Sequence, residues 1–116
     1  MKKTIKTGRG TGKSYETIQM MLRDKDLYTI VPNKRMYKSI LNMFVEEYPK
    51  SKVSTEDMND ILNRIVTPSD LKNGSVDKRN KFHIEEADRL LTYLLGVEFD
   101  TMTTSHWHVE TFKRND

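Results

Sequence analysis

Hydrophobic and polar residues alternate along this chain with two different periods, and the switches between them predict short strands and helices. β-Branched and aromatic residues give strand character to residues 3–6, 27–31, 80–85 and 97–104, with a very short strand at residues 65–66. Apolar residues spaced three and four positions apart predict helices over residues 13–23, between 33 and 49, between 54 and 65, and over 86–95. With one further helical turn after residue 67, the predicted order is β-α-β-α-(α)-β-α-β-α-β.

Capping residues mark the ends of these predicted helices. The cleanest apolar stripe in the chain follows Asn33, a candidate N-cap. Ser54 precedes the next helix, and Thr67, followed by a proline and an acid, precedes the short one. Gly96 ends the last helix. Alternating strands and helices favour a parallel sheet covered by helices, so we expect a three-layer α/β domain with a short, mostly parallel sheet.

Length and composition limit the class of protein. The chain has 116 residues, enough for one small domain, and we expect residues 1–116 to form a single unit. Charged residues make up 32% and hydrophobic residues 35%, which predicts a thin core. The sequence has no cysteine, no apolar run near the roughly 18 residues of a membrane span, and no signal-peptide pattern. We therefore expect a cytoplasmic protein without a membrane partner.

One segment carries recognisable chemistry, the run Thr7-Gly8-Arg9-Gly10-Thr11-Gly12-Lys13-Ser14 between a predicted strand and a predicted helix. Its last three positions match the phosphate-loop pattern G-x-x-x-x-G-K-[ST], whereas Thr7 stands at the first glycine position. Glycines let backbone N–H groups turn toward an anion, and the following helix adds its positive end. Lys13 would neutralise the β- and γ-phosphates, and Ser14 would bind Mg²⁺. The alternative is a glycine-rich turn with a chance G-K-S.

Two adjacent acids at the end of a predicted strand complete this hypothesis. Glu85 would hold Mg²⁺ from the strand end, and Glu86 would act as the general base or position the attacking water. The alternative is that Glu85, Glu86 and Asp88 form an acidic first helical turn, which the helix dipole favours. Combined with the phosphate loop, the catalytic interpretation is preferred.

These segments resemble the P-loop NTPases that have an additional strand and a catalytic glutamate, such as AAA-type ATPases, helicases and phage terminase ATPases. Residues 7–14 are similar to the Walker A segment, and residues 84–88 to the Walker B region, with Glu85 where the family usually has Asp. The resemblance implies ATP or GTP as ligand and Mg²⁺ as cofactor. It implies nucleic-acid contacts near residues 29–35. It also implies a γ-phosphate sensor in the strand over residues 100–105, either Thr103 or Thr104.

Histidine and tryptophan residues offer weaker signals. His83 lies in a predicted strand among apolar neighbours and is interpreted as a core or strand-face residue. His106 and His108, two positions apart, could share a metal, although no cysteine supports such a site. Trp107 between them either covers the sheet edge or stacks on a base.

Charge and composition bear on partners and source. Basic residues number 20 and acidic residues 17, a net charge of +3 that is too small to be a nucleic-acid signature by itself. The Lys-, Asn-, Thr- and Met-rich composition suggests a phage or mobile element of an AT-rich bacterial host. DNA is a candidate partner on the resemblance and on the isoelectric point of about 9.1.

Competing functions remain open at this point. The first is Mg²⁺-dependent binding and hydrolysis of ATP or GTP, linked to DNA. The second is a non-hydrolysing binding module derived from a P-loop domain, which acts as an inhibitor or adaptor of another protein. A protein partner or a homo-oligomer is a further expectation about partners. Thr7 and Glu85 depart from the family pattern, and no arginine finger is evident, which favours this second function. A small kinase ranks last, because the sequence has no lid or acceptor-base site.

Overall fold

Strands and helices follow one another in the order that the sequence predicts. The computed structural model describes residues 3–7, 12–47 and 53–111; the side chains of residues 7, 12–15, 43–45 and 47 lie outside this description. The strands are β1 (Thr4–Thr7), β2 (Leu27–Ile30), β3 (Ile65–Val66), β4 (Lys81–Ile84) and β5 (His108–Thr111). The helices are α1 (Gly12–Arg23), α2 (Lys34–Glu47), α3 (Thr55–Asn63), α4 (Pro68–Lys72) and α5 (Ala87–Leu95).

The strands pair only in parallel within the described ranges, as expected for strands connected through helices. β2 lies between β3 and β4, with Thr29 opposite both Ile65 and His83. A second, two-stranded sheet pairs β1 with β5 and places Thr4 opposite His108. The prediction of an α/β chain with short parallel sheets is confirmed.

Hydrophobic side chains form two clusters that use alternate residues of the strands. Because successive strand residues point to opposite faces, the clusters lie on opposite sides of the β3-β2-β4 sheet. The first cluster draws on α1, α2, α3 and the odd-numbered positions around β2, and its buried members are Ile18, Met21, Val31, Ile40, Val53, Ile61 and Ile65. The second includes α5 and its buried members are Ile30, Val66, Val76 and Leu90. Each face of this sheet is therefore covered.

The predicted caps are present. The Asn33 side chain accepts a hydrogen bond from the backbone N–H of Met36 at 3.0 Å, and Ser54 accepts one from Asp57 at 3.0 Å. Asp70 reaches back to the N–H of Thr67 at 2.9 Å. These bonds satisfy N–H groups that have no partner inside a helix. Gly96 ends α5 with a φ of +75°, a conformation that costs a glycine little.

The last strand lies elsewhere than predicted. Residues 97–104 form no strand, and β5 lies at residues 108–111 instead. Apolar residues in the predicted stretch occupy positions 97, 99 and 102, so their alternation breaks before a full strand face is built. All four residues of β5 are exposed, so the sequence of this strand carries no apolar face that could signal it. Strand character at 97–104 was therefore a wrong prediction.

A buried arginine that the sequence analysis did not single out holds the C-terminal end of α1. The Arg64 guanidinium donates hydrogen bonds to the carbonyls of Met21, Asp24 and Leu27 at 2.7–3.0 Å, and to the carboxylate of Asp60 at 3.0 Å. Only 4% of Arg64 is exposed. A cation at this helix end complements both the unpaired carbonyls and the negative end of the helix dipole.

The same end of α1 carries a small surface network. The backbone N–H of Asp26 and then the ammonium of Lys81 lower the pKa of Asp24 below its ordinary range. The Lys81 Nζ to Asp24 Oδ2 distance is 3.1 Å, which links the start of β4 to the turn between α1 and β2. Among the described helices, none is both long and apolar enough to cross a membrane.

Candidate functional site

The predicted phosphate loop connects β1 directly to α1. β1 ends at Thr7 and α1 begins at Gly12, so a strand precedes the loop and a helix follows it, as predicted. Lys13 and Ser14 lie in the first turn of α1, although their side chains lie outside the described part. The four residues between, Gly8, Arg9, Gly10 and Thr11, also lie outside the described residues. The positive end of the α1 dipole is at the loop.

A side-chain contact ties β1 to α1 close to this loop. The Lys6 ammonium forms an ion pair with the Glu16 carboxylate. Lys6 Nζ also lies 3.6 Å from the sulfur of Met20, one turn further along α1. Both charged side chains are about one third exposed or less, so solvent screens the pair only in part. The contact fixes the strand that enters the loop against the helix that leaves it.

Glu85 is the buried acid of the site. It directly follows β4, its backbone N–H donates to the Ile30 carbonyl at 2.9 Å, and 4% of the residue is exposed. Its carboxylate accepts a hydrogen bond from the hydroxyl of Thr17, with 2.5 Å between Oε2 and Oγ1. Thr17 lies three positions after Ser14, on the same side of α1. The candidate metal-binding acid therefore contacts the helix that starts at the phosphate loop.

His83 completes a cluster of three side chains around Glu85. Alternation along β4 directs His83 and Glu85 to the same face of the sheet. The Nε2 atom of His83 lies 3.2 Å from Thr17 Oγ1 and 3.4 Å from Glu85 Oε2. His83 is half-buried on this strand face, in line with its interpretation as a strand-face residue. The sequence analysis missed Thr17, whose only signal was its helical spacing from Ser14.

Glu86 adopts an unusual backbone conformation. Its φ and ψ are both 55°, in the left-handed region, and it is the non-glycine residue of the described chain with positive φ. Such a conformation costs about 1–3 kcal/mol and often accompanies functional sites. The Glu86 carboxylate lies 3.9 Å from Nε of Arg89, one turn into α5. Because α5 begins at Ala87, only Asp88 of the three acids belongs to the first helical turn.

The other predicted ligand contacts are not in a strand. Thr103 and Thr104 are exposed in the segment between α5 and β5, where the strand expected to carry them does not form. A shallow groove of about 520 Å³ opens beside α5 and contains the Glu86 partner Arg89. Its lining residues are Asp88, Arg89, Thr92, Tyr93, Glu98 and Phe99.

Metal ligands at the site are few. Across the described residues, no three His, Asp or Glu side chains come together as a metal site. Mg²⁺ is commonly held by one or two protein oxygens together with phosphate oxygens and water. Glu85 and Ser14 suit that mode of binding, because Glu85 is a buried carboxylate and Ser14 is a hydroxyl residue in the first turn of the adjacent helix.

Trp107 directly precedes β5. It is 45% exposed, and the ammonium of Lys3 lies 5.6 Å from the centre of its ring, within range of a cation–π contact. His108, the first residue of β5, has its Nε2 atom 3.8 Å from a carboxylate oxygen of Glu110. This corner of the β1–β5 sheet is separate in sequence from the Glu85 cluster.

Similarity to known proteins adds no assignment to this geometry. The chain matches no protein-family model, no curated protein and no solved structure. The candidate site therefore depends on three observations within the chain: the G-K-S sequence at the start of α1, the buried Glu85 against the same helix, and the backbone conformation of Glu86.

Proposed function

We propose that this chain binds ATP or GTP together with Mg²⁺ and hydrolyses it. The observation that carries the proposal is the contact between Glu85 and Thr17. A buried carboxylate at the end of β4 lies 2.5 Å from a hydroxyl one helical turn beyond Lys13 and Ser14. A G-K-S sequence that occurs by chance does not explain why a buried acid contacts the helix that follows it. A buried carboxylate is also costly unless hydrogen bonds or a cation compensate for its lost hydration.

Each residue of the site has a role in this proposal. The backbone of Gly8, Arg9, Gly10, Thr11 and Gly12 would cradle the phosphates at the positive end of α1. Lys13 would neutralise phosphate charge. Ser14 and Glu85 would hold Mg²⁺, which when bound draws charge from the phosphate oxygens. Glu86 would accept a proton from the attacking water.

Covered faces on both sides of the β3-β2-β4 sheet support the finer fold assignment, a three-layer P-loop-like domain. In open parallel sheets, ligands bind outside the carboxyl ends of the strands. Glu85 lies at such an end, and the loop at residues 8–11 follows another, that of β1. Thr103 and Thr104 remain proposed γ-phosphate contacts, although they are exposed and outside any strand.

The proposal is tested by binding of a fluorescent ATP analogue and by phosphate release from Mg-ATP. We expect Lys13→Ala to weaken binding roughly ten- to hundredfold, the range for a lost hydrogen bond to a charged group. Glu86→Gln should keep binding and lose phosphate release. Lys78→Ala, which removes an exposed lysine from the turn before β4, is the matched control and should behave as wild type. Equal binding by Lys13→Ala and wild type would exclude the proposed site.

DNA is the proposed partner of hydrolysis. The exposed cations Lys34, Arg35 and Lys38 lie in the first turns of α2, just after β2, where they could contact phosphates. Stimulation of phosphate release by DNA, weakened by salt and by Lys34→Ala with Arg35→Ala, would support this link. A cytoplasmic location in a bacterial host of a phage or mobile element is proposed with it.

A second function, binding of another protein without hydrolysis, is favoured by one specific observation. Apolar side chains at the end of α5 and just after it are more than half exposed: Tyr93 and Leu95 at 63%, Val97 at 61% and Leu94 at 51%. Large exposed apolar patches often mark protein contacts. If the wild type releases no phosphate above the Glu86→Gln variant, this binding function becomes the leading account.

A further inference from the structure

Thr17, His83 and Glu85 form a continuous chain of polar contacts between α1 and β4. The distances are 3.2 Å from His83 Nε2 to Thr17 Oγ1 and 2.5 Å from Thr17 Oγ1 to Glu85 Oε2. Thr17 and Glu85 are each 4% exposed. Polar groups at such depth lose their hydration, so the direction of each hydrogen bond has energetic weight.

The direction of each hydrogen bond in this cluster follows from which of the three side chains can donate a proton. An ionised carboxylate can only accept hydrogen bonds, so the Thr17 hydroxyl donates its proton to Glu85. That hydroxyl then has only lone pairs to offer to His83, and the imidazole must donate through Nε2–H. A histidine protonated at Nδ1 alone would place two acceptors against each other at 3.2 Å.

We propose that His83 and Thr17 act as a hydrogen-bond relay, running from Nε2–H of His83 through the Thr17 hydroxyl to Glu85, that positions the Glu85 carboxylate. The relay fixes the tautomer of His83 and holds Oε2 of Glu85 toward α1. Its effect on metal binding rests on the proposed function, whereas the hydrogen-bond direction and the tautomer do not. Thr17 and His83 are positioning residues, since they act through Glu85.

The surroundings of His83 favour this role over simple packing. Its neighbours in β4, Phe82 and Ile84, are apolar, and the residue opposite it in β2 is Thr29. The Thr29 hydroxyl contacts the sulfur of Met21 at 3.1 Å, so it belongs to another contact. An apolar residue at position 83 would pack against α1 without the cost of burying an imidazole. Thr29 therefore offers a matched control for Thr17, because it is buried beside the relay and bonded elsewhere.

The first measurement is the tautomer of His83, read from imidazole nitrogen chemical shifts at about pH 8.5, where an ordinary histidine is neutral. His83→Gln removes the signal and assigns it. We expect the Nε2–H form. The Nδ1–H form would overturn the relay, whatever the protein binds.

The second measurement is the Mg²⁺ concentration that half-saturates binding of a fluorescent ATP analogue. Groups that orient a metal ligand typically contribute 10–100-fold to metal affinity, so we expect Thr17→Val to raise this concentration about tenfold or more. Thr17→Ser keeps the hydroxyl and His83→Gln keeps a donor, so both should stay near the wild-type value. His83→Phe should shift it in the same direction as Thr17→Val. Thr29→Val should not shift it, and binding without Mg²⁺ should be alike in all variants.

The outcomes separate the relay from the proposed function. If the wild type binds nucleotide but Thr17→Val and Thr29→Val need the same Mg²⁺ concentration, the positioning role is overturned and the proposed function stands. If the wild type binds no nucleotide, the proposed function fails, and the relay stands or falls on the tautomer alone. Thermal unfolding identifies any variant that fails to fold. If Thr17→Val or His83→Phe fails, the Mg²⁺ requirements of Thr17→Ser and His83→Gln are compared with that of the wild type, and a shift in either would overturn the relay.

Discussion

The two ends of α1 are held by charged side chains in opposite ways. At the C-terminal end, Nη1 and Nη2 of Arg64 donate to three carbonyls and to the Asp60 carboxylate, and the positive charge lies at the negative end of the helix dipole. Its buried Nε has no hydrogen-bond partner among the described residues. Toward the N-terminal end, the buried carboxylate of Glu85 meets a hydroxyl and an imidazole among the described side chains. The contacts of Arg64 stabilise the fold, and this accounts for the buried arginine. The arrangement around Glu85 buries an acid beside a hydroxyl and an imidazole, a combination of polar and ionisable groups that often marks functional sites.

Substitution of Arg64 should have the largest effect. Arg64→Met leaves the carbonyls of Met21, Asp24 and Leu27, between the last turn of α1 and the start of β2, without their buried donor. We expect a loss of about 3 kcal/mol in the free energy of unfolding. The Asp60 contact adds little, because 47% of that side chain is exposed. Urea denaturation measures the loss. Arg23→Met changes an exposed arginine in the last turn of the same helix and should cost under about 0.5 kcal/mol; equal losses would contradict the assigned role of Arg64.

The same experiment at Glu85 should give the reverse result. Glu85→Gln keeps the shape and an acceptor for Thr17 but removes the buried charge. We expect the free energy of unfolding to stay unchanged or to rise by about 1 kcal/mol, while Mg²⁺-dependent binding is lost. A loss of stability comparable to that of Arg64→Met would mean that Glu85, too, is explained by structure alone, and the contrast between the helix ends would disappear.

A smaller stability effect is expected at Glu86, again opposite to its effect on activity. Glu86→Gly removes the strain of the left-handed conformation at φ 55° and should raise the free energy of unfolding by about 0.5–1 kcal/mol. Phosphate release should be abolished. Glu86→Ala removes the same carboxylate and keeps the strain, so it should lose activity without the gain in stability. Calorimetric unfolding of the two variants measures this difference in stability.

The smallest effect concerns the surface network near Arg64. The pKa of Asp24 is lowered by the N–H of Asp26 and then by Lys81, so its carboxylate stabilises the fold above its ordinary pKa of 3.8 and loses that contribution as pH falls through the lower folded value. Asp24→Asn should therefore be slightly less stable than wild type at about pH 6, and the difference should shrink as the pH falls through the lowered pKa of the folded state. A difference that grows on acidification would contradict this sign.

Local chemistry was predictable from the sequence, and long-range geometry was not. The caps at Asn33, Ser54 and Thr67 depend on a few neighbouring residues, and all three are present. The G-K-S helix start and the strand-end position of Glu85 follow equally local rules. Arg64 and Thr17 were missed because their partners lie 37–43 and 68 positions away in sequence, distances over which no local pattern carries information.

Strand pairing shows the same limit. β5 is exposed at every residue, so only its partner β1 makes it a strand. The segment over residues 97–104 has suitable residue types, yet it pairs with no described strand. β propensity expresses fit to neighbours more than an intrinsic backbone preference, and here the neighbour decides.

The pairing of β1 with β5 also bears on how the protein is made. The strand that leads into the proposed phosphate loop has its described strand partner at residues 108–111, nearly the whole described chain away. During synthesis, β1 must wait for those residues to leave the ribosome, whereas the β2, β3 and β4 sheet can already assemble. Contacts of such high sequence separation form late because the chain between them must first be ordered. A nascent chain would therefore form its β2, β3 and β4 sheet before the strand that precedes the proposed phosphate loop is paired.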